Sequence, residues 1–183
     1  MLTGKRLTPE EYLALEQRSE VRHEYVNGEL HAMAGDKKQN NRVVRRLVRL
    51  LDKRVEEKGC DLFFTVVKLK VDENRYRYPD VVVTCEEDAD EYLVLAPCAI
   101  FEVLSDSTQT TDETEKLEEY LRIPSVERYV LLRQDRTSAF VYSRDGDSWR
   151  FDLLDHTGAF EVPCLDLSVR LEDIYAGIVP PKP

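Results

Sequence analysis

The stretch that most constrains this chain is Ala99–Leu104, a short, nearly continuous apolar run broken by one carboxylate, Glu102. Such a run fits a central strand buried on both faces. A carboxylate inside it is costly unless a cation partners it. The chain is therefore expected to bring positive charge to the middle of that strand. A second acid, Asp80, follows Pro79 at the edge of Val81-Val82-Val83. Strand ends that carry carboxylates beside apolar runs suit hard cations. If the two strands are neighbours, both carboxylates can point at one site. A divalent cation between them would relieve their repulsion and supply Lewis acidity.

Lys116 lies on the helix expected just after Glu102, with Asp112 four residues before it and Tyr120 four after, so the three share one face. An ammonium leaning over the acids would orient an attacking water and offset charge on the transition state of phosphodiester hydrolysis.

The remaining elements follow from periodicity and punctuation. With 183 residues, the chain is expected to form one domain spanning 1–183. Thr8-Pro9-Glu10-Glu11 reads as a capped helix start. Arg22–Met33 reads as a hairpin around Asn27-Gly28. From Lys37 to Glu57, Val43, Val44, Leu47, Leu50, Leu51 and Val55 recur at helical spacing before the stop at Gly59. The other side of that helix carries Arg42, Arg45, Arg46 and Arg49, a basic stripe that is either a solvated face or a phosphate-tracking one. Leu62–Val71 and Tyr76–Cys85 read as a second hairpin around Asp72–Arg75. Thr110 with Glu113 has capping-box spacing for a helix running to about Arg122. Three strands follow, at Tyr129–Leu132, Ala139–Tyr142 and Trp149–Leu153, and then a last helical turn at Leu171–Tyr175.

Net charge of -10 and a pI near 4.9 oppose indiscriminate binding to polyanions. The acidity is segregated, however: Glu86–Glu119 holds twelve acids and one base, while Lys37–Arg54 holds eight bases and one acid. One basic helix can thus contact phosphates while acids elsewhere await a metal. Patterns for a P-loop, a dinucleotide-binding turn, a serine-hydrolase elbow and an HExxH zinc helix are all absent from the sequence. His23, His31 and His156 show no ligand spacing and read as surface or hairpin residues. Cys60, Cys85, Cys98 and Cys164 lie far apart with no C-x-x-C pair, so they are expected to be reduced core residues rather than a zinc ribbon or a redox dithiol. No secretory leader or membrane span is expected, which makes the compartment cytoplasmic.

Arg77-Tyr78-Pro79-Asp80-Val81-Val82-Val83, then Phe101-Glu102-Val103-Leu104-Ser105-Asp106-Ser107-Thr108, then Asp112, Lys116 and Tyr120, resemble the signature of the Uma2 family within the PD-(D/E)xK restriction-endonuclease-like superfamily. Leu7–Leu13 and the hairpin Tyr25–Leu30 resemble that family's amino-terminal part, so the likeness covers almost the whole chain. It implies an α/β fold: an αβββαβ core with a mixed sheet flanked by helices, preceded by an amino-terminal helix and β-hairpin. It also implies a DNA endonuclease using Mg²⁺ or Mn²⁺ and a metal-activated water. Asp80, Glu102 and the Val103 carbonyl would hold the metal, Glu24 would be the extra amino-terminal acid, and Lys116 the motif lysine. The superfamily's usual lysine stands two residues after the glutamate; Leu104 occupies that place here, so the lysine must come from the following helix. Where the family commonly has a histidine at the start of the long helix, this chain has Asn40-Asn41. A homodimer is expected of an enzyme that cuts both strands with one site per chain.

Each residue also has a structural alternative. Asp80 could be a turn residue, Asp112 and Lys116 a surface i,i+4 pair worth about 0.3–0.5 kcal/mol, and Glu24 an ordinary hairpin charge. A catalytically inactive nuclease fold serving as a binding or regulatory module is the competing function.

Overall fold

Every residue of the strand Pro97–Leu104 (β8) is buried, as the apolar run requires. The computed structural model describes residues 6–33, 35, 37–64, 67–87, 90–105 and 109–178. Its order is α1 (Pro9–Glu16), β1 (His23–Val26), β2 (Glu29–Ala32), α2 (Lys38–Lys58), β3 (Asp61–Phe64), β4 (Lys68–Asp72), β5 (Arg75–Arg77), β6 (Val81–Thr84), β7 (Leu93–Val94) and β8. Next come α3 (Gln109–Glu113), α4 (Glu115–Leu121), β9 (Arg128–Arg133), β10 (Ala139–Asp145), β11 (Ser148–Leu154), β12 (Ala159–Val162), β13 (Leu167–Arg170) and α5 (Leu171–Tyr175). A 3-10 turn, Pro163–Leu165, joins β12 to β13.

A six-stranded sheet runs β11-β10-β9-β8-β6-β3, and a five-stranded sheet runs β2-β1-β5-β4-β7. In the larger sheet only β8 and β9 are parallel, a mixed arrangement that the crossover through α3 and α4 permits. Alternation along β8 divides the core. Ala99, Phe101 and Val103 face α2 and the carboxy-terminal elements. Ile100 and Leu104 face Tyr120, Ile123 and Tyr129 on the other side. Glu102, in phase with Ile100 and Leu104, therefore points toward α4.

α2 has the expected amphipathic pattern: Val43, Val44, Leu47, Leu51 and Val55 are buried, and Gly59 closes the helix at φ +66°. Each such burial contributes about 1.5–3 kcal/mol relative to exposure. α1 begins with the expected cap, the Thr8 hydroxyl accepting from Glu11 N while the Glu11 carboxylate accepts from Thr8 N. Tyr12, Tyr25 and Tyr76 pack together and join α1 to the smaller sheet, with centroids 4.9, 5.3 and 6.0 Å apart.

Three expectations are corrected. The second hairpin is real as β4 and β5, but each of its arms continues into the other sheet, where β3 pairs with β6. The second crossing falls at Tyr78-Pro79-Asp80, where proline supplies no ladder donor. The helix after Glu102 is two helices separated at Thr114, and Thr110 lies within α3 rather than capping it. The four cysteines are two disulfides, Cys60–Cys85 and Cys98–Cys164, because strand pairing and the carboxy-terminal hairpin bring distant segments together. Among the described residues no helix is long and apolar enough to cross a membrane.

The β1–β2 turn has Asn27 at φ +50° and Gly28 at φ +94°, as a type I′ turn demands. A Cβ on Gly28 would meet Arg6 Cβ at 2.8 Å. Gly28→Ala should therefore lower stability by about 1–3 kcal/mol, measured by urea unfolding; an unchanged midpoint would refute this reading of the turn.

Candidate active site

The seam between the two sheets opens into a cavity of about 330 Å³ lined by residues from both, among them Glu24, Arg77, Asp80, Glu102, Asp112 and Lys116. Glu102 comes from the middle of β8, with its side chain 4% exposed. Its Oε1 accepts from Lys116 Nζ at 3.0 Å and from Tyr120 Oη at 3.2 Å. Its Oε2 accepts from the backbone N–H of Asp80 at 3.1 Å. Asp80 returns the contact through the next residue, its Oδ2 accepting from Val103 N at 2.7 Å. The two acids are thus locked together by antiparallel neighbours β6 and β8, as their sequence context implied. The Val103 side chain is in the core, while its carbonyl accepts from the buried Asn40 Nδ2 at 3.1 Å.

Lys116 is the centre of charge. Its ammonium lies 3.0 Å from Glu102 Oε1, 3.0 Å from Asp112 Oδ1 and 3.3 Å from Glu24 Oε1. Burial lowers its affinity for a proton, but Glu102, Glu24 and Asp112 more than reverse that, so the lysine stays charged. Burial pushes the Glu102 carboxyl well above the ordinary range; Lys116 opposes this, while Asp112, Asp80 and Glu24 reinforce it. For Glu24, burial acts upward, but Lys116 and Arg77 outweigh it and hold the carboxyl low.

Leu104 explains why the lysine arrives from α4. It packs among Tyr120, Tyr129 and Leu131 on the face that Glu102 shares, and the charge reaches Glu102 from above that apolar layer. Asp112, whose surface-pair alternative fails, is 1% exposed. Asp106, Ser107 and Thr108 lie outside the described residues.

Sequence reasoning missed Arg77. Its guanidinium, 2% exposed, donates to both oxygens of Glu119 at 2.8 Å and to Glu24 Oε2 at 2.9 Å. Arg77 opens the family-like run Arg77–Val83, but nothing local gives it a role, because its partners come from α4 and β1. His31 also lines the cavity, set opposite Glu24 by the β1–β2 register. The basic stripe divides: Arg42 and Arg45 are exposed and border a depression with Lys37, Lys38 and Asn41. That depression shares no lining residue with the cavity, whose nearest residue in sequence is the buried Asn40. Arg46 instead donates to Ala176 O at 3.0 Å, and Arg49 lies a further turn along α2.

The donor set is hard: two carboxylates, a backbone carbonyl and further acids around one ammonium, with Arg77 shared with Glu119. Net negative charge remains, which fits Mg²⁺ or Mn²⁺ better than a soft ion. Lys116→Met would leave buried carboxylates facing one another and should cost about 3–5 kcal/mol at neutral pH. Glu24, with its carboxyl held low, contributes stability above the ordinary value of 4.5 that is lost as pH falls through its folded value. The variant's deficit should therefore shrink under acid, and urea unfolding across that range would expose a pH-independent deficit as contrary evidence.

A family model described as "Uma2: Putative restriction endonuclease" matches residues 9–172. One uncharacterized protein of Synechocystis sp. is 29% identical over 177 residues, 94% of this chain and 93% of its own length. Another from the same organism is 33% identical over 150 residues, 79% of this chain and 85% of its own. A crystal structure from Anabaena variabilis, described as a putative nuclease belonging to DUF820, shares the fold with a TM-score of 0.77 at 19% identity, covering 94% of this chain and 99% of that one. With mixed sheets flanked by helices as in that nuclease fold, and a match running from α1 into α5, the chain belongs to the Uma2 family.

Proposed function

We propose that the chain is a divalent-metal-dependent DNA endonuclease acting in the cytoplasm. The observation that carries this reading is the convergence of Asp80, Glu102, Glu24 and Asp112 on one cavity around a single buried ammonium, leaving negative charge for a cation to neutralise. Asp80, Glu102 and the Val103 carbonyl would hold Mg²⁺ or Mn²⁺. A divalent cation there lowers the pKa of water and offsets charge on phosphoryl oxygens.

The chain's own residues do the rest. Lys116, kept protonated by its carboxylates, is a hydrogen-bond donor rather than a base; it orients the attacking water and stabilises charge at phosphorus. Arg77 fixes Glu24, and Asn40 fixes the strand end at Val103. Arg42 and Arg45, exposed on the amino-terminal half of α2, offer charge for phosphates, so a nucleic-acid backbone can approach despite the acidic total. Two-fold pairing would let one site per chain serve both strands. The edge strand β11, with Phe151 and Leu153 exposed, is the apolar surface suited to that contact.

One observation favours a non-catalytic binding module instead: both Glu102 oxygens, Asp80 Oδ2 and the Val103 carbonyl already have protein donors. Plasmid cleavage decides between them. Nicking or linearisation should require Mg²⁺ or Mn²⁺ and fall about 100-fold or more in Asp80→Ala, Glu102→Ala and a Lys116→Ala protein verified as folded. Arg42→Ala with Arg45→Ala should weaken DNA binding and flatten its salt dependence. Binding without cleavage across single- and double-stranded DNA, or cleavage that survives Glu102→Ala, would sink the enzyme reading. Sedimentation should give a dimer that Leu153→Glu dissociates; a monomer before substitution would remove the pairing.

A further inference from the structure

At the end of the β6–β8 pair remote from Asp80 and Glu102, four cysteines from four segments meet. Cys60 follows the Gly59 cap of α2, Cys85 follows β6, Cys98 is the second residue of β8, and Cys164 lies in the 3-10 turn. Cys60 is bonded to Cys85 across 25 residues of sequence, and Cys98 to Cys164 across 66. The two bonds lie against each other. Cys85 Sγ is 3.8 Å from Cys98 Sγ, and the sulfurs of Cys85, Cys98 and Cys164 all fall within 4.8 Å of one another.

That spacing has a specific chemical meaning. Zinc–sulfur bonds of about 2.3 Å put the corners of a tetrahedral tetrathiolate about 3.8 Å apart. Opening both disulfides would leave three thiols, those of Cys85, Cys98 and Cys164, within the span of one such coordination sphere, and the Cys60 thiol next to that of Cys85, from where it could close in as the fourth ligand. Separate segments hold them there: a helix end, two paired strands and a hairpin turn.

We propose that the reduced chain binds one Zn²⁺, or a similarly soft divalent cation, through Cys60, Cys85, Cys98 and Cys164, and that the disulfide pair is the oxidised form of the same site. Each disulfide takes two electrons and two protons from one equivalent of a dithiol reductant, which becomes its own disulfide. The four freed thiols lose four protons as four metal–sulfur bonds form. The resulting tetrathiolate carries two negative charges, and cations stand beside it. Arg54 Nε donates to Leu165 O at 2.7 Å, and Lys58 pairs with Asp166, the two residues that follow Cys164. In a reducing compartment the thiols, rather than the disulfides, are the expected state. Hard donors at one end of β6 and β8 and soft donors at the other would give two sites that do not compete for the same ion.

The test uses the full chain purified anaerobically with reductant. Zinc measured by mass spectrometry should approach one per chain, and the four thiols should resist alkylation until a chelator is added. Replacement by Co²⁺ should give thiolate-to-metal charge-transfer bands together with the visible bands of tetrahedral cobalt. The charge-transfer bands can come only from sulfur, so they should persist in Asp80→Ala with Glu102→Ala and disappear or weaken strongly in Cys85→Ser, where the replaced side chain is exposed. Four reactive thiols with no charge-transfer band at saturating Co²⁺ would overturn the proposal. So would bands unchanged in Cys85→Ser, or metal retained only through Asp80 and Glu102.

Discussion

One ammonium beneath the middle of a buried strand governs much of this structure. Lys116 makes it possible for β8 to carry Glu102 in a setting that would otherwise forbid a charge. The same contact fixes where α4 must lie, since a buried ion pair tolerates little displacement before its desolvation goes uncompensated. Apolar packing of Tyr120 against Tyr129 supports that position, with centroids 5.2 Å apart and rings nearly perpendicular. Arg77 and Glu119 then tie α4 to the smaller sheet by two parallel hydrogen bonds, a geometry that only a guanidinium offers.

The site therefore belongs to no single layer. Glu24 is contributed by the smaller sheet, Glu102 by the larger, Asp112 and Lys116 by the helices between, and Asp80 by the segment in which the chain passes from one sheet to the other. Pro79 ends the first pairing, and Val81 begins the second. An acid at such a crossing is held by backbone on both sides yet keeps its side chain partly accessible. This is where a reacting phosphate could reach carboxylates that are otherwise enclosed.

Much of this was legible in the chain itself. The period of α2, the Asn27-Gly28 turn, the N-cap at Thr8 and the burial of Ala99–Leu104 all follow from local rules, and so does the demand of Glu102 for a cation. The assignment of Lys116 to that demand rests on helical spacing alone and agrees with the observed contact. What could not be read is what depends on assembly. Arg77 has no meaning until β1 and α4 stand beside it. A run of strand-forming residues from Leu62 to Val71 does not announce that it serves two sheets. The cysteines look unrelated at separations of 25 and 66 residues because the sheet's register, and not their spacing, makes them neighbours.

A lysine carried on the same strand as the glutamate would be fixed by the hydrogen-bond ladder, and any movement of it would disturb the sheet. With Leu104 in that place and Lys116 on α4, beyond the break at Thr114, the positive charge travels with a helix instead. Charge balance at the carboxylates and integrity of the strand pairing become separate degrees of freedom. The first is held by the packing and ion pairs of one short helix, the second by the rungs of the ladder, so a substitution in α4 can disturb the charge balance while leaving the strand pairing intact.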